Sequence, residues 1–322
     1  LYEPIGHKPM QGDFPNIKKL VSHIFGEQYE LGMDYLQLLY LKPVQKLPIL
    51  LLVSEERNTG KTTFLNFLKA LFQDNVTFNT NEDFRSQFNS DWAGKLLIVV
   101  DEVLLSRRED SERLKNLSTT LSYKVEAKGK DRNEISFFAK FVLCSNNESL
   151  PVIIDEGETR YWVRKISSLQ SDDTDFLEKL KAEIPAFLFH LQGRTLSTEH
   201  KSRMWFAPEQ IATDALRRII RCNRNRLEVE MSELFLEVME NTQTDSLQFC
   251  LNDAIALLQC NHVKAEKHLV RKIVQDCWKL QPSENALTYT SYEYNYNSSG
   301  HYSLTKRVGR FYTVTMDKLN SI

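Results

Sequence analysis

The sequence of 322 residues carries 41 Lys and Arg against 43 Asp and Glu, for a net charge of -2, so no global field draws the molecule onto nucleic acid. A chain of this length exceeds the size that one core usually serves, and we expect two or three domains. With 42% hydrophobic and 26% charged residues, and no apolar run near the roughly 20 residues of a membrane span, the composition argues against a disordered or membrane-spanning class.

The start of the chain indicates that it is part of a longer protein, and its cysteines indicate a cellular compartment. The chain opens at Leu1 with neither an initiator Met nor a signal peptide, which indicates a piece of something longer. Its five cysteines form no CxxC pair, which suits a reducing cytosol, so we expect a cytoplasmic protein. A zinc site is the alternative use of these side chains, but its spacing matches no common pattern. The ligands would be Cys260, His262, His268 and Cys277.

Helices and then a buried strand are predicted for the first part of the chain. Apolar residues recur at helical spacing from Ile17 to Phe25, and a second helical pattern runs from Tyr29 to Leu41. Pro48 to Val53 is a continuous apolar run, typical of a strand buried on both faces. A glycine-lysine turn and a helical pattern through Phe72 follow, so this part predicts strand, loop and helix.

Two more buried strands are predicted, at Leu96 to Val100 and at Ala139 to Cys144, and each ends on polar residues. Between them we predict a helix from about Glu109 to Ser122 and a charged hairpin over Tyr123 to Ser136. Strands with polar residues at their carboxyl ends, separated by helices, are typical of a parallel α/β sheet. The polar residues are therefore expected to converge on one edge of that sheet.

A second domain is predicted for the last third of the chain. A strand over Trp162 to Ile166 and a helix over Asp173 to Leu191 precede the polar stretch Gly193 to Pro208, a candidate boundary. The chain is then predicted to be helical to about Leu280 and to close on a strand over Arg310 to Thr315, which favours a winged-helix-like domain. The predicted parts are an N-terminal helical region at 1–45, an α/β core at 46–195 and a C-terminal domain at 209–322.

The loop after the first buried strand carries the second half of a Walker A pattern. Backbone N–H groups at a helix start cradle phosphates, a Lys ammonium reaches the β and γ oxygens, and a Thr hydroxyl ligates magnesium. A chance match at a helix start is the alternative. Glu55 stands where the pattern has its first glycine, so we expect a modified loop path. The candidate nucleotide-binding residues are Asn58, Thr59, Gly60, Lys61, Thr62 and Thr63.

Polar residues at the ends of the next two strands complete the pattern. Asp101 would orient magnesium and Glu102 would polarise the attacking water, which are separate tasks in phosphoryl transfer. Solvated polar caps at a strand end are the alternative, which the preceding loop disfavours. Asn146 is neutral and bifunctional, so it could hold the water or sense the γ-phosphate, although Asn after a strand is commonplace.

The order of these motifs resembles superfamily 3 helicases. A Walker A loop, a carboxylate pair, a basic segment and an apolar strand ending in Ser145-Asn146 occur in that sequence. The family comprises AAA+ motors of small DNA viruses, poxvirus-type primase-helicases and phage or plasmid replication proteins. The resemblance covers about Lys42 to Ile166 and implies an AAA+ P-loop core that uses ATP and Mg2+.

The resemblance also implies a role for each matching residue. Lys61 would bind phosphate, and Thr62 and Asp101 would hold magnesium. Glu102 would activate water, and Asn146 would be the polar sensor.

An arginine that reaches the neighbouring subunit's ATP site is a further implication of the resemblance. Arg160 stands in the expected place, and Arg164 is the competing candidate. A guanidinium can neutralise charge that develops on the γ-phosphate, although either arginine could be an exposed strand residue. Weaker candidates for contacts with the neighbouring subunit are Lys46, Arg113 and Lys115.

The charged segment Lys124 to Arg132 corresponds to the family's hairpin that projects into a central channel. Lysines at a glycine-turned tip suit phosphate contacts that do not depend on sequence, as a translocating motor requires. Lys128 and Lys130 are therefore the candidate DNA contacts. A solvated charged hairpin is the alternative.

Two other basic stretches lie in the C-terminal part. Arg217 to Arg226 carries five arginines and no acid, and a helix would put Arg217, Arg221 and Arg224 on one face. That face could contact phosphates, contact a neighbouring subunit, or simply be solvated. Lys264 to Lys279 could form a recognition helix or pack against a partner protein.

The predicted function is an ATP-driven motor that assembles as a ring, a hexamer by resemblance, and unwinds duplex DNA during replication of a virus, phage or mobile element. Expected partners are single-stranded or forked DNA, further copies of the chain, and a primase domain or other replication proteins, with no membrane. An AAA+ ATPase that remodels or loads nucleoprotein is one alternative. A DNA-binding module without turnover is another, which Glu102 and Arg160 disfavour. A small-molecule kinase would leave the basic hairpin and Asn146 without a use.

Overall fold

The structure is a computed structural model that describes residues 2–83, 92–125, 133–155, 157–169, 173–295 and 301–320. The chain divides into two compact units, Leu1–Ile220 and Arg221–Ile322. The first unit holds a parallel sheet with helices on both faces, and the second holds helices with short antiparallel strands. The predicted α/β core with a parallel sheet is confirmed.

Parallel strands form the centre of the first unit. Its strands are β1 (Ile49–Val53), β2 (Val76–Asn79), β3 (Leu97–Val100), β4 (Ser122–Val125), β5 (Asn133–Ser136), β6 (Lys140–Ser145) and β7 (Tyr161–Lys165). Five of them form a parallel sheet in the order β2-β3-β6-β1-β7, and β4 pairs with β5 in an antiparallel hairpin. Since β3, β6 and β1 are neighbours, the loops that follow them meet at one edge.

The alternation along β1 shows why this sheet is buried on both faces. Leu50 and Leu52 pack into one core cluster, whereas Ile49, Leu51 and Val53 pack into another. Successive side chains of a strand point to opposite faces, so a strand between two helical layers has to be apolar throughout. The continuous apolar run therefore predicted this strand correctly.

Helices cover both faces of the sheet. The helices of this unit, with the last one continuing into the second unit, are α1 (Pro15–Phe25), α2 (Tyr29–Leu41), α3 (Lys61–Phe72), α4 (Arg108–Thr119), α5 (Phe176–Gly193), α6 (Pro208–Ile211) and α7 (Asp214–Thr242). One face is packed by α1, α2, α3 and α5. The other is packed by α4 and the first turns of α7.

The boundaries of the compact units differ from the predicted domain boundaries. Residues of α1 and α2, such as Ile17 and Leu36, share a core cluster with the sheet, so the N-terminal helices belong to the first unit. Leu216 and Ile219 of α7 pack into the cluster on the other face. The division therefore falls within α7 and not in the polar stretch Gly193 to Pro208.

The second unit combines helices with paired strands around its own core. Its further elements are β8 (Ser246–Phe249), α8 (Leu251–Cys260), α9 (Lys267–Lys272), β9 (Leu287–Asn295), β10 (His301–Gly309), β11 (Tyr312–Thr315) and α10 (Met316–Asn320). Antiparallel pairs join β9 to β10 and β8 to β11. In the part of the chain that the structure describes, no helix has the length and apolar character that crossing a membrane requires.

One strand of this unit, β8, lies within the stretch that was predicted to be helical to about Leu280, whereas β9 and β10 follow that stretch. β8 has only four residues, with Leu247 and Phe249 turned into the core, so its alternation is too short to stand out. The Tyr-rich segment that follows forms β9 and β10, as the preference of aromatic residues for strands allows.

Two buried lysines lie at the amino edge of the parallel sheet, opposite the edge where the polar loops meet. Lys46 precedes β1, is 8% exposed, and donates to the Phe137 carbonyl at 2.8 Å. Lys140 begins β6, is 2% exposed, and donates to the Pro43 carbonyl. Burial lowers the pKa of Lys46 to about 8. Burial, with the nearby Lys46 charge, also lowers the pKa of Lys140 well below its ordinary value.

Lys46 should make the free energy of unfolding depend on pH. Above about pH 8 the folded chain has released a proton that the unfolded chain keeps, so stability should rise with pH over this interval. Urea denaturation between about pH 7.5 and about pH 9.5 measures this contribution, and the free energy of unfolding should rise less steeply with pH in Lys46→Met, where Lys140 still makes its own contribution. Lys18→Met, which removes an exposed lysine, is the control. If the free energy of unfolding changed equally steeply with pH in the wild type and in Lys46→Met, the lowered pKa assigned to Lys46 would be wrong.

Candidate functional site

The loop between β1 and α3 has the backbone of a phosphate cradle. Gly60, immediately before α3, has φ +77°, and Asn58 has φ +53°. A positive φ is ordinary for glycine and tolerated by Asn, so the loop can turn its N–H groups inward before the helix starts. The free N–H groups of the first turn of α3, which begins at Lys61, point to the edge where the polar loops meet.

Lys61 is buried within this loop. Its ammonium donates to the Ser54 hydroxyl, to Thr59 Oγ1 at 3.2 Å and to Asn146 Oδ1 at 3.0 Å. Burial lowers the pKa of Lys61, whereas nearby anionic groups, including the Asp101 carboxylate, favour the charged form and oppose that shift. The predicted phosphate ligand thus contacts the predicted sensor directly.

Thr62 and Asp101 are the predicted magnesium ligands, and they contact each other. The Thr62 hydroxyl donates to Asp101 Oδ2 at 2.8 Å. A hydroxyl and a carboxylate oxygen are the hard ligands that Mg2+ prefers, usually together with water and phosphate oxygens. These two residues therefore fit a magnesium ion bound with a nucleotide.

Glu102 and Asn146 form the third contact of the site. The Asn146 amide donates to Glu102 Oε1 at 3.3 Å. Glu102 has φ +63°, a conformation that is unfavourable for Glu and that recurs at functional sites. Asn81 holds this turn, since its amide donates to the Glu102 carbonyl at 3.1 Å and accepts the Leu104 N–H at 3.0 Å. Sequence reasoning missed Asn81.

The structure resolves the question raised by Glu55. Its φ is not among the positive values of the chain, so the backbone there does not require glycine. Its N–H donates to Glu148 Oε1 at 3.1 Å. Its carboxylate is 63% exposed and lies 3.3 Å from Arg218 Nη2. The start of this loop is thus held by a contact with the loop after β6.

Arg164 and Arg160 differ sharply in their surroundings. The Arg164 side chain is 9% exposed and donates to Glu27 Oε1 at 2.6 Å and to Gln28 Oε1 at 2.9 Å. This finding contradicts the idea of an exposed strand arginine, because Arg164 joins β7 to the turn after α1. Arg160 is 26% exposed and pairs with Glu158 Oε2 at 3.1 Å.

The weaker candidates for contacts with a neighbouring subunit also have partners within the chain. Lys115 is buried and pairs with Glu112 at 2.5 Å and with Asp155 at 3.6 Å. Arg113 donates to the Tyr123 hydroxyl at 3.3 Å. Lys46 lies buried at the opposite edge of the sheet, as described above. Lys46 and Lys115 are therefore buried residues whose charged groups bind partners within the first unit.

The remaining basic candidates divide into those the structure describes and those it does not. Lys128 and Lys130 lie outside the described residues, while the flanking strands β4 and β5 pair as an antiparallel hairpin. In the arginine stretch, Arg217 pairs with Asp214 at 2.6 Å and Arg226 with Glu230 at 2.7 Å. Part of that stretch is therefore neutralised locally.

The zinc alternative finds no support in the second unit. Among the residues that the structure describes, which include both cysteines and both histidines of that reading, no group of three or more His, Cys, Asp or Glu could hold a metal ion. His268 instead lies 3.2 Å from Glu266.

Comparisons with known proteins bear on the fold. Residues 52–164 match a family described as a family of unknown function, DUF5906, and no curated protein matches the sequence. The apo structure of the NrS-1 C-terminal region superposes with a TM-score of 0.61 at 17% identity, over 97% of this chain and 79% of that chain. An A-form apo structure of that region gives 0.59 at 16%, over 98% and 79%. These similarities show a shared fold.

A structure of the JCV helicase also matches, with a TM-score of 0.36 at 15% identity, over 71% of this chain and 65% of that chain. A superposition this weak supports no argument about the chemistry of this chain.

Stability measurements should separate Arg164 from Arg160. Arg164→Ala should lower the free energy of unfolding by about 2–4 kcal/mol, because a buried guanidinium loses its hydrogen bonds to Glu27 and Gln28 at once. Arg160→Ala, which removes a partly exposed ion pair, should cost less than about 1 kcal/mol. Urea denaturation of both variants measures the difference, and equal losses would show that Arg164 has no special structural role.

Proposed function

We propose that this chain is a P-loop ATPase that drives a ring-shaped DNA helicase of the superfamily 3 type. The observation that carries the proposal is the set of direct contacts among five candidate residues that come from three separate loops. Lys61 bonds to Asn146, Thr62 to Asp101, and Asn146 to Glu102. A chance match in sequence would not bring these side chains within hydrogen-bonding distance.

The nucleotide and its metal would be held by the loop and the strand that follows. In the proposal, Thr62 and Asp101 provide the oxygen ligands for Mg2+, and the backbone N–H groups before and within the first turn of α3 receive the phosphates. Mg2+ held by these residues would supply neutralisation of charge on the phosphates.

Lys61 would be the main cationic ligand of the phosphates. Its ammonium is already largely removed from water, so little further desolvation opposes an exchange of neutral acceptors for phosphate oxygens. The exchange would release Ser54 and Asn146 from their present hydrogen bonds with Lys61. Asn146 could then turn toward the γ-phosphate or toward the attacking water.

Glu102 would act as the general base on that water. Its carboxylate accepts a hydrogen bond from the Asn146 amide, so both groups face the same space. A water held by Asn146 could pass its proton to Glu102 as it attacks. In this arrangement one residue, Glu102, is the base, and another, Asp101, is the metal ligand. The unfavourable backbone at Glu102 is consistent with a side chain aimed for such a task.

Arg160 is the preferred arginine for a neighbouring subunit's site. Arg164 is committed within the chain, whereas Arg160 remains partly exposed beside Glu158. A guanidinium that enters the next site would couple hydrolysis to ring assembly. The alternative, an ATPase that remodels nucleoprotein without unwinding, would use the same site. A binding module without turnover is disfavoured because Lys61, Thr62, Asp101 and Glu102 are all present.

Steady-state ATP hydrolysis, with and without single-stranded DNA, tests the proposal. The wild type should hydrolyse ATP, and Lys61→Ala should lower the rate by about a hundredfold or more through loss of phosphate binding. Arg160→Ala should lose turnover while still binding ATP, and particle mass with ATP and Mg2+ should show an oligomer. If the wild type does not exceed Lys61→Ala, the ATPase proposal is wrong.

Strand displacement on a forked duplex then distinguishes a helicase from a remodelling ATPase. Removing the predicted phosphate contacts with Lys128→Ala and Lys130→Ala should abolish displacement while basal hydrolysis persists. Hydrolysis without any displacement by the wild type would instead favour the remodelling alternative.

A further inference from the structure

Glu148 is a buried carboxylate that none of the motifs predicts. It lies in the loop after β6, two residues beyond Asn146, and its side chain is only 3% exposed. A buried carboxylate is costly unless hydrogen bonds and opposite charges compensate for lost hydration. Its contacts therefore indicate what the group does.

Three donors converge on Glu148 from three parts of the first unit. Oε1 accepts the backbone N–H of Glu55 at 3.1 Å. Oε2 accepts Lys165 Nζ, at the end of β7, and Arg218 Nη1, in α7, both at 2.9 Å. The two cations compensate for the buried charge, which leaves Oε1 to hold the backbone of the phosphate-binding loop.

The contact with Glu55 falls where the loop leaves β1. Glu55 follows Ser54, whose hydroxyl accepts from Lys61, and Ser54 Oγ also lies 2.9 Å from the Glu56 carbonyl. Fixing the Glu55 N–H therefore fixes the path that leads to Lys61. Since Glu148 and Asn146 share one short loop, the same carboxylate ties the phosphate-binding loop to the proposed sensor.

We propose that Glu148 is a positioning residue that sets the entry of the phosphate-binding loop, a task that a tight glycine turn performs in the standard pattern. The inference rests on the proposed function, since positioning matters if the loop binds a nucleotide. The Glu55 side chain contributes little, because it is mostly exposed and its pairing with Arg218 is a surface contact. The carboxylate that replaces the glycine turn is thus Glu148 and not Glu55.

The test compares Glu148→Ala and Glu148→Gln with Glu55→Ala in the full chain. Glu183→Ala is the matched control, since Glu183 also accepts backbone N–H groups, those of Asn16 and Ile17, at the start of a different helix. Two readouts are used. One is equilibrium binding of a fluorescent ATP analogue with Mg2+, and the other is amide hydrogen exchange of the 54–60 segment without nucleotide.

Glu148→Ala should weaken binding of the analogue by about tenfold or more, because a charge-assisted anchor of the loop is lost. Its 54–60 segment should exchange faster while β3 keeps its protection. Glu148→Gln keeps the side-chain volume and one acceptor, so its affinity and its exchange rate should lie between those of Glu148→Ala and the wild type. This variant also distinguishes loss of the loop contact from a failure to fold. Glu55→Ala should change affinity by less than about threefold. Glu183→Ala should lower stability without faster exchange in the 54–60 segment.

Unchanged amide exchange and unchanged affinity in both Glu148 variants would overturn the inference. A loss of affinity in Glu55→Ala that equals the loss of affinity in Glu148→Ala would overturn it as well. Failure of the proposed function gives a different result. In that case the wild type would bind no analogue, while the exchange measurement without nucleotide would still decide whether Glu148 anchors the loop.

Discussion

The adjacency of β3, β6 and β1 in one parallel sheet is the constraint on which the site depends. Each strand is buried on both faces, so polar groups can appear only where the strands end. Parallel pairing brings those ends to a single edge. The loop with Lys61, the turn with Asp101 and Glu102, and the loop with Asn146 are therefore forced into contact by the packing of apolar residues that take no part in the chemistry.

Charge compensation shapes this edge as much as strand order does. Lys61 is held by neutral oxygen acceptors with carboxylates nearby, whereas Glu148 is held by two cations and a backbone N–H. Each of these two buried charges thus has partners that limit its cost, and the partners of Glu148 come from the loop after β1, from β7 and from α7. The ionic contacts consequently tie β1, β6, β7 and α7 together around the loop between β1 and α3.

The sequence could predict those features of this arrangement that leave a pattern among neighbouring residues. The strands β1, β3 and β6 were predicted because burial on both faces leaves an uninterrupted apolar run. The contact of Thr62 with Asp101 could be expected because both residues follow buried strands assigned to one parallel sheet. β2 was missed because it is a short edge strand with partly exposed residues. β8 was missed because its four residues show too little alternation.

The residues that the sequence could not identify form contacts with residues far away in the sequence. Nothing near Glu148 indicates that it meets the N–H of Glu55, and nothing near Arg164 indicates its pairing with Glu27. Such contacts are set by the fold and carry no local pattern. For the same reason nothing in the sequence indicated that the backbone of Glu55 is held by a residue of another loop, Glu148.

The proposed ATP site can be tested by a crystal structure of the chain with Mg2+ and a non-hydrolysable ATP analogue. The proposed function predicts Lys61 Nζ within hydrogen-bonding distance of the β- and γ-phosphate oxygens, with the metal ligated by Thr62 and Asp101. It would be contradicted by an analogue bound away from the loop between β1 and α3, or by phosphates bound while Lys61 keeps its contacts with Ser54 and Asn146.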